Sequence, residues 1–361
     1  MHRGLDAEEG GRLAVAVDAY AQAVRLAPGE PVPYLYLAFA LAESGREDAA
    51  ARVASLGHDV DPRLLNAWRS AGSRAPIALR SRRVDALLRA SLSALHADSV
   101  ARAEAELDCP LPRLRAGIWC QTHDRAFDYG VADQRPWILY LPDLAPVRWF
   151  DTGTLPWAGA LEAQWQTLRD EALAVLDACA DARRPYVDAE EDPGAAFAPL
   201  RGSSAWDSLH LYRAGVAADE AVRTAMPRIH AAVEASDCVR MNDVPMEAFL
   251  SVLAPATRIP PHFGLANTRM TVHLPLAVPD ACGLRVGDEL RTPEPGKLLA
   301  FDDSFRHEAW NDGDAPRVHL ILEAWRPDLA PEEKLGLARI VDARDAWNRS
   351  RTLPDTESLA S

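Results

Sequence analysis

The sequence predicts an α+β protein in which helical hairpins precede an antiparallel β-sandwich or jelly roll. Two observations carry this. A 34-residue repeat of small-residue helical text opens the chain, and short alternating segments follow one another from Trp206 onward with no helix between them. At 361 residues the chain has room for two or three cores, and 48% hydrophobic with 25% charged residues is ordinary for a soluble protein. A net charge of −14 argues against nucleic acid as a bulk partner, because phosphate binding needs a positive face. The opening MHRGLDAEEGG lacks a signal peptide's apolar core, and no 18-residue apolar run occurs, so a cytoplasmic protein with no membrane partner is expected. Cys109, Cys120, Cys179, Cys238 and Cys282 are dispersed without a CxxC pair and read as reduced core thiols.

Residues 1–130 read as helical. Gly11 and Gly45 stand 34 residues apart, as do Pro28 and Pro62. GRLAVAVDAYAQAVRLAP and GREDAAARVASLGHDVDP carry small residues at helical spacing, each closed by a proline that cannot continue the helix. A 34-residue period with glycine between helices and proline at the close is tetratricopeptide-like, here over residues 1–62. PYLYLAFALAES supplies the large side chains of the intervening helix. About two copies are too few for a free solenoid, so packing on neighbouring elements is expected. NAWRSAGSRAPIALRSRRVDALLRASLSALHAD continues as helix without evident chemistry.

Near Pro136 the text turns to Pro, Trp and β-formers, and ALEAQWQTLRDEALAVLDACA reads as one amphipathic helix. DAEEDPGAAFAPLRGSS is a loop. The strands are then DSLHLYRAG, EAFLSVLAP, RMTVHLPLAV, GLRVGDE, GKLLAFD and RVHLILEAW, separated by turns such as PDACG, EPG and NDGDAP. Residues 131–335 therefore form the β domain, and 336–361 a C-terminal helix and tail.

Four of the ten histidines, His262, His273, His307 and His319, fall within one stretch of 58 residues. His262 follows a proline pair at a strand edge, and His307 enters a strand from FDDSFRHEAWND. Two imidazoles from distant strands, with Arg317 ten positions after the second, suit a non-haem iron centre that leaves positions open for a 2-oxo acid and dioxygen. The guanidinium fork of Arg317 suits the far carboxylate of that acid. Spacing alone leaves satisfied core histidines as the more ordinary reading.

The segments SVLAPATRIPPHFGLANTRMTVHLPL and CGLRVGDELRTPEPGKLLAFDDSFRHEAWNDGDAPRVHLILEAWRPDL resemble the aspartyl/asparaginyl β-hydroxylase family. A weaker similarity runs through YLPDLAPVRWFDTGTLPWAGALEAQW. The resemblance implies a double-stranded β-helix, a cupin-like jelly-roll barrel with flanking helices. It also implies an iron(II)- and 2-oxoglutarate-dependent dioxygenase that hydroxylates a peptide, protein or amino-acid-derived small molecule and releases succinate and CO2. His262 and His307 would be the iron ligands. Arg317 and Ser251 would hold the distal carboxylate of 2-oxoglutarate, with His273 contacting the oxo acid. Arg269 would lie near the mouth as a substrate contact, with Thr271 beside it where animal members carry an arginine. Where many oxygenases have a carboxylate two residues after the first histidine, this chain has Gly264, as the animal branch does, so a water is expected to complete the iron site.

Each residue has a plainer reading. His273 could be a packed strand residue, and His319, two residues from Arg317 and so on the same strand face, is read as structural. Asp302 and Asp303 read as a turn whose side chains bond their own backbone. Trp206, Trp310 and Trp325 read as core. The function classes left open beside the hydroxylase are a barrel holding another metal and a tetratricopeptide-type interaction protein with an inert barrel.

Overall fold

The computed structural model describes residues 1–190 and 194–354. Residues 191–193 of the acidic loop and the tail after Pro354 lie outside the described residues. The chain divides into two compact units: Met1–Glu106 with Thr122–Ala126 and Arg339–Ser361, and Leu107–Gln121 with Phe127–Ala338.

The first unit is helical: α1 (His2–Glu9), α2 (Leu13–Leu26), α3 (Pro31–Glu43), α4 (Glu47–Val60) and α5 (Ala75–Leu107). Gly11 and Gly45 turn the chain from α1 into α2 and from α3 into α4 with φ of +69° and +78°, a region that excludes most side chains. The repeated glycines therefore mark equivalent turns. α3 buries Tyr34–Ala38 and Ala40–Ala42, so it is apolar all round and central, with α2 and α4 packed on it. The long helix α5 ends at Leu107, before Pro110, and a single helical turn, Pro112–Arg115, opened by Pro112, is the only further helix before residue 130 among the described residues.

The second unit is an antiparallel barrel. Its strands are β1 (Glu247–Leu253), β2 (Thr257–His262), β3 (Arg269–Ala277), β4 (Cys282–Val286), β5 (Glu289–Arg291), β6 (Leu299–Phe301), β7 (His307–Asn311) and β8 (Arg317–Trp325). One sheet orders them β6-β3-β8-β1 and the other β2-β7-β4-β5. The chain thus crosses between the sheets as it proceeds, which is the winding of a double-stranded β-helix. Trp149–Phe150 extends the first sheet beside β6, and Trp206–Arg213 with Arg184–Pro185 extends it beyond β1.

Period two decides which residues face inward. On the first sheet Leu250, Val252, Val272, Leu274, Leu320 and Leu322 face a core shared with the flanking helices α6 (Ala158–Ala163), α7 (Trp165–Ala178) and α8 (Pro227–Glu234). The single helix expected over this stretch is broken at Gln164 into α6 and α7. The opposite face looks across to the second sheet, where Leu253, Phe301, Ile259, Leu284 and Ala309 fill one end of the space. α9 (Pro331–Arg349) closes the described part of the chain. No helix among the described residues is long and apolar enough to cross a membrane. All five cysteines are unpaired, Cys238 and Cys282 being buried.

Candidate active site

Between the two sheets lies a cavity of about 330 Å³, and residues of both sheets line it. His262 ends β2 and His307 begins β7, and the two are register partners, with ring centroids 4.0 Å apart. Each ring is pinned by its own turn. His262 Nδ1 donates to the carbonyl of Pro260 at 2.8 Å, and His307 Nδ1 donates to that of Phe305 at 2.9 Å. A carbonyl only accepts, so each Nδ1 carries the proton and each Nε2 keeps its lone pair, the arrangement of a metal-binding imidazole with its backing bond in place. Burial, reinforced by the neighbouring His307, brings His262 down to about 3, and burial brings His307 down to about 4. Both rings are neutral at physiological pH, as ligation requires.

Arg317 opens β8 and is 1% exposed, yet its Nε and Nη1 have no hydrogen-bond partner. Burial lowers its pKa to about 10. A buried cation with two open N–H edges facing a cavity calls for a planar anion. Ser251, fully buried on β1, accepts from Trp206 Nε1 at 3.2 Å, which leaves its own O–H to donate. His273 and His319 meet at 3.2 Å between their Nδ1 atoms, so one donates and the other accepts. Both are held well below the ordinary histidine range by burial and by the Arg317 charge, so neither competes with that guanidinium for an anion as a cation.

Asp303 is one of the residues that sequence reasoning missed. Asp302 is the turn former: it accepts from the Ser304 amide at 3.0 Å and pairs with the buried Arg326 at 3.1 Å. Its neighbour Asp303 turns into the cavity instead, where Oδ2 accepts from Thr271 at 3.2 Å and the buried Oδ1 has no partner. A Cβ on Gly264 would stand 2.1 Å from Asp303 Cγ. Glycine is needed there because the Asp303 carboxyl group fills the place that a side chain at 264 would enter. Burial raises the Asp303 pKa, with Arg269, Thr271 and His262 opposing. Among the described residues, no three His, Cys, Asp or Glu close into a metal-binding set.

The structure thus brings His262, His307, Arg317, Ser251, His273 and Thr271 to one cavity. Arg269 sits behind it, with Nη1 2.8 Å from Glu323 Oε2 and the guanidinium beside Asp303. Trp206, read as core, lines the cavity as well. His319, which strand parity put on the Arg317 face, meets His273 there, as a buried partner and not a cavity-lining one.

Fold and site together define a double-stranded β-helix protein with a paired-imidazole centre and a buried anion-seeking arginine. Residues 162–327 match the family described as Aspartyl/Asparaginyl beta-hydroxylase. The mouse aspartyl/asparaginyl beta-hydroxylase is 32% identical over 195 residues, covering 53% of this chain and 24% of that protein. Human aspartate beta-hydroxylase domain-containing protein 2 is 31% identical over 209 residues, 56% of this chain and 54% of that one. An ornithine lipid ester-linked acyl 2-hydroxylase from Rhizobium tropici is 29% identical over 185 residues, 50% and 62% respectively. The chain therefore spans from about a quarter to about three fifths of these relatives. Among solved structures, DMSP lyase DddQ from Ruegeria pomeroyi DSS-3 aligns over 48% of this chain and 94% of that one, at 18% identity and a TM-score of 0.21. The barrel assignment rests on strand order and not on that likeness.

Proposed function

We propose that this protein is an iron(II)- and 2-oxoglutarate-dependent hydroxylase acting on a peptide, protein or small molecule. The observation that carries the reading is the buried Arg317, whose unpartnered N–H groups face the cavity that His262 and His307 also line. The donor set fits the group. Two neutral imidazoles with free Nε2 atoms suit a borderline metal such as iron(II), and a buried guanidinium suits a dicarboxylate's distal end. The match of residues 162–327 to a hydroxylase family supports the same conclusion.

Bound iron(II), with 2-oxoglutarate and dioxygen, supplies insertion of an oxygen atom into a C–H bond, with succinate and CO2 as coproducts. The chain's residues do the rest. His262 and His307 would hold the metal through Nε2, each ring fixed by its Nδ1–H bond to the preceding turn. Arg317 and the Ser251 hydroxyl would orient the co-substrate, converting an encounter into a fixed geometry. His273 would contact the oxo acid. The apolar side chains of Phe249, Ile321 and Phe301 line the same space and would keep water from it. Asp303, whose carboxyl group fills the space beside Gly264, would accept a hydrogen bond from a water or substrate group near the metal.

Metal analysis and succinate release test this. The protein incubated with iron(II), 2-oxoglutarate and oxygen is expected to bind one iron per chain and release succinate. His262→Ala and His307→Ala should each remove both properties while the fold remains. Full iron occupancy and turnover in either variant would overturn the assignment.

A further inference from the structure

We propose that the substrate carries an organic cation, an ammonium or guanidinium group, which is seated where Glu247, Glu323 and Asp303 converge on the cavity. This rests on the hydroxylase reading of the same site and goes beyond it, to the charge of what is hydroxylated.

The inner face of the first sheet is polarised along its strands. Arg317 stands at one end of β8 and Glu323 six residues on, roughly 20 Å away at strand rise. At the acidic end Thr271 pairs with Glu323 across β3–β8, and the β8–β1 register, which ends at Leu322 opposite Ala248, sets Glu247 beside Glu323. Like charges opposite one another on paired strands destabilise a sheet, so this pairing needs a compensating positive group. Local compensation is incomplete. Arg269 lies 2.8 Å from Glu323, and His210 Nε2 lies 3.0 Å from Glu247. The Asp303 carboxylate receives only the uncharged Thr271 hydroxyl as a hydrogen-bond donor among the described residues. Asp303 Oδ1 is buried without a hydrogen-bond donor, and Glu323 Oε2, though in ion-pair contact with Arg269, has no aligned one. Burial pushes the Glu323 carboxyl up to about 7 in spite of Arg269.

The wall beside these carboxylates is aromatic. Tyr186 stacks on Trp206 at 4.0 Å and lies 5.3 Å from Phe249. The Tyr186 hydroxyl is raised by burial and then by Glu247, Glu323 and Asp303 together, so all three charges act at that one ring. Carboxylates joined to aromatic faces are the recognition chemistry of organic cations. A carboxylate substrate would meet these acids with Arg269 already engaged.

The test is calorimetric binding to the full chain under nitrogen, with iron(II) and 2-oxoglutarate present so that no turnover occurs. The probes are N-acetyl-lysinamide, its neutral analogue N-acetyl-norleucinamide and the acidic N-acetyl-glutamic acid α-amide. 1,5-Diaminopentane separates a free amine from a peptide-borne lysine. At least one cationic probe should bind about tenfold more tightly than the neutral and acidic ones, a difference of about 1.4 kcal/mol. Glu323→Gln and Glu247→Gln should each erase that advantage. Glu247→Gln leaves the Arg269 pair intact and carries the test if Glu323→Gln fails to fold. Equal or tighter binding of the acidic probe, a cation advantage untouched by both substitutions, or no binding by any probe overturns the proposal. Succinate release on admitting air is read separately. Its absence with a bound cation counts against the hydroxylase reading alone, and its stimulation by the acidic probe counts against the cationic substrate alone.

Discussion

Arg317→Met should make the protein more stable in the absence of co-substrate and unable to respond to it. The side chains are similar in length, so the change removes charge with little change in volume. In the native state Arg317 is 1% exposed, has two unpartnered N–H groups and is brought down to about 10 by burial. Against an ordinary arginine value of about 12.5, at about 1.4 kcal/mol per pH unit, the folded protein carries roughly 3 kcal/mol of uncompensated desolvation. The sign follows from linkage. With the folded pKa below the unfolded one, this cost is fully present at neutral pH and lifts only as pH rises past 10. Removing the charge should therefore stabilise the ligand-free chain by about 1–3 kcal/mol after packing losses. Binding moves the opposite way: loss of a charged pair in a dry pocket costs about 2–5 kcal/mol, or roughly 30-fold to several thousand-fold in 2-oxoglutarate half-saturation. Urea denaturation with and without 2-oxoglutarate measures both. The wild type should gain stability with the ligand, and Arg317→Met should begin higher and gain nothing. A less stable variant, or equal ligand stabilisation of both proteins, would refute the reasoning.

Other expectations follow from the same geometry. Arg317→Lys should restore only part of the co-substrate affinity, since an ammonium lacks the fork, while Ser251→Ala should weaken half-saturation by about 1 kcal/mol, one hydrogen bond. His307 is neutral when folded, at about 4, so stability present above pH 6.5 should fall as pH drops toward 4. By pH 5 the loss should be about 2 kcal/mol, a slope absent from His307→Ala in denaturation midpoints. Gly264→Ala drives a Cβ to 2.1 Å from Asp303 Cγ and should cost about 1–3 kcal/mol. Gly264→Ala/Asp303→Ala should recover most of that in a double-mutant cycle, and additive losses would show that the two positions are uncoupled. Thr271→Arg should break the hydroxyl bond to Asp303 and add a cation, so carboxylate-bearing peptides should improve as substrates in a mass-based hydroxylation assay.

What the sequence made legible was whatever a strand pattern can carry. The alternation of RVHLILEAW put Arg317 on a strand beside buried neighbours, and the proline pair before His262 and the turn before His307 put both histidines at strand ends. What it hid depends on contacts across the barrel. DDS read as a turn because Asp302 does cap one, and nothing local says that the adjacent carboxyl group swings toward Gly264. Trp206 and Glu247 join the site only through register with strands far away in sequence. Arg269 read as a substrate contact near the mouth, and its pairing with Glu323 spans 54 residues.

The position of β8 has a consequence for how the barrel is made. It is the last strand among the described residues, yet it sits between β3 and β1 in the middle of its sheet. Until residues 317–325 leave the ribosome, β3 and β1 each present a bare row of backbone donors and acceptors, the kind of edge that recruits other chains. Strand pairing here is almost wholly between distant segments, so closure should be slow beside that of the N-terminal helices. Arg317 arrives with this final strand. The proposed anion binding would therefore be acquired in the same step that seals the sheet, and titration of refolding chains with 2-oxoglutarate would then count only barrels that have closed.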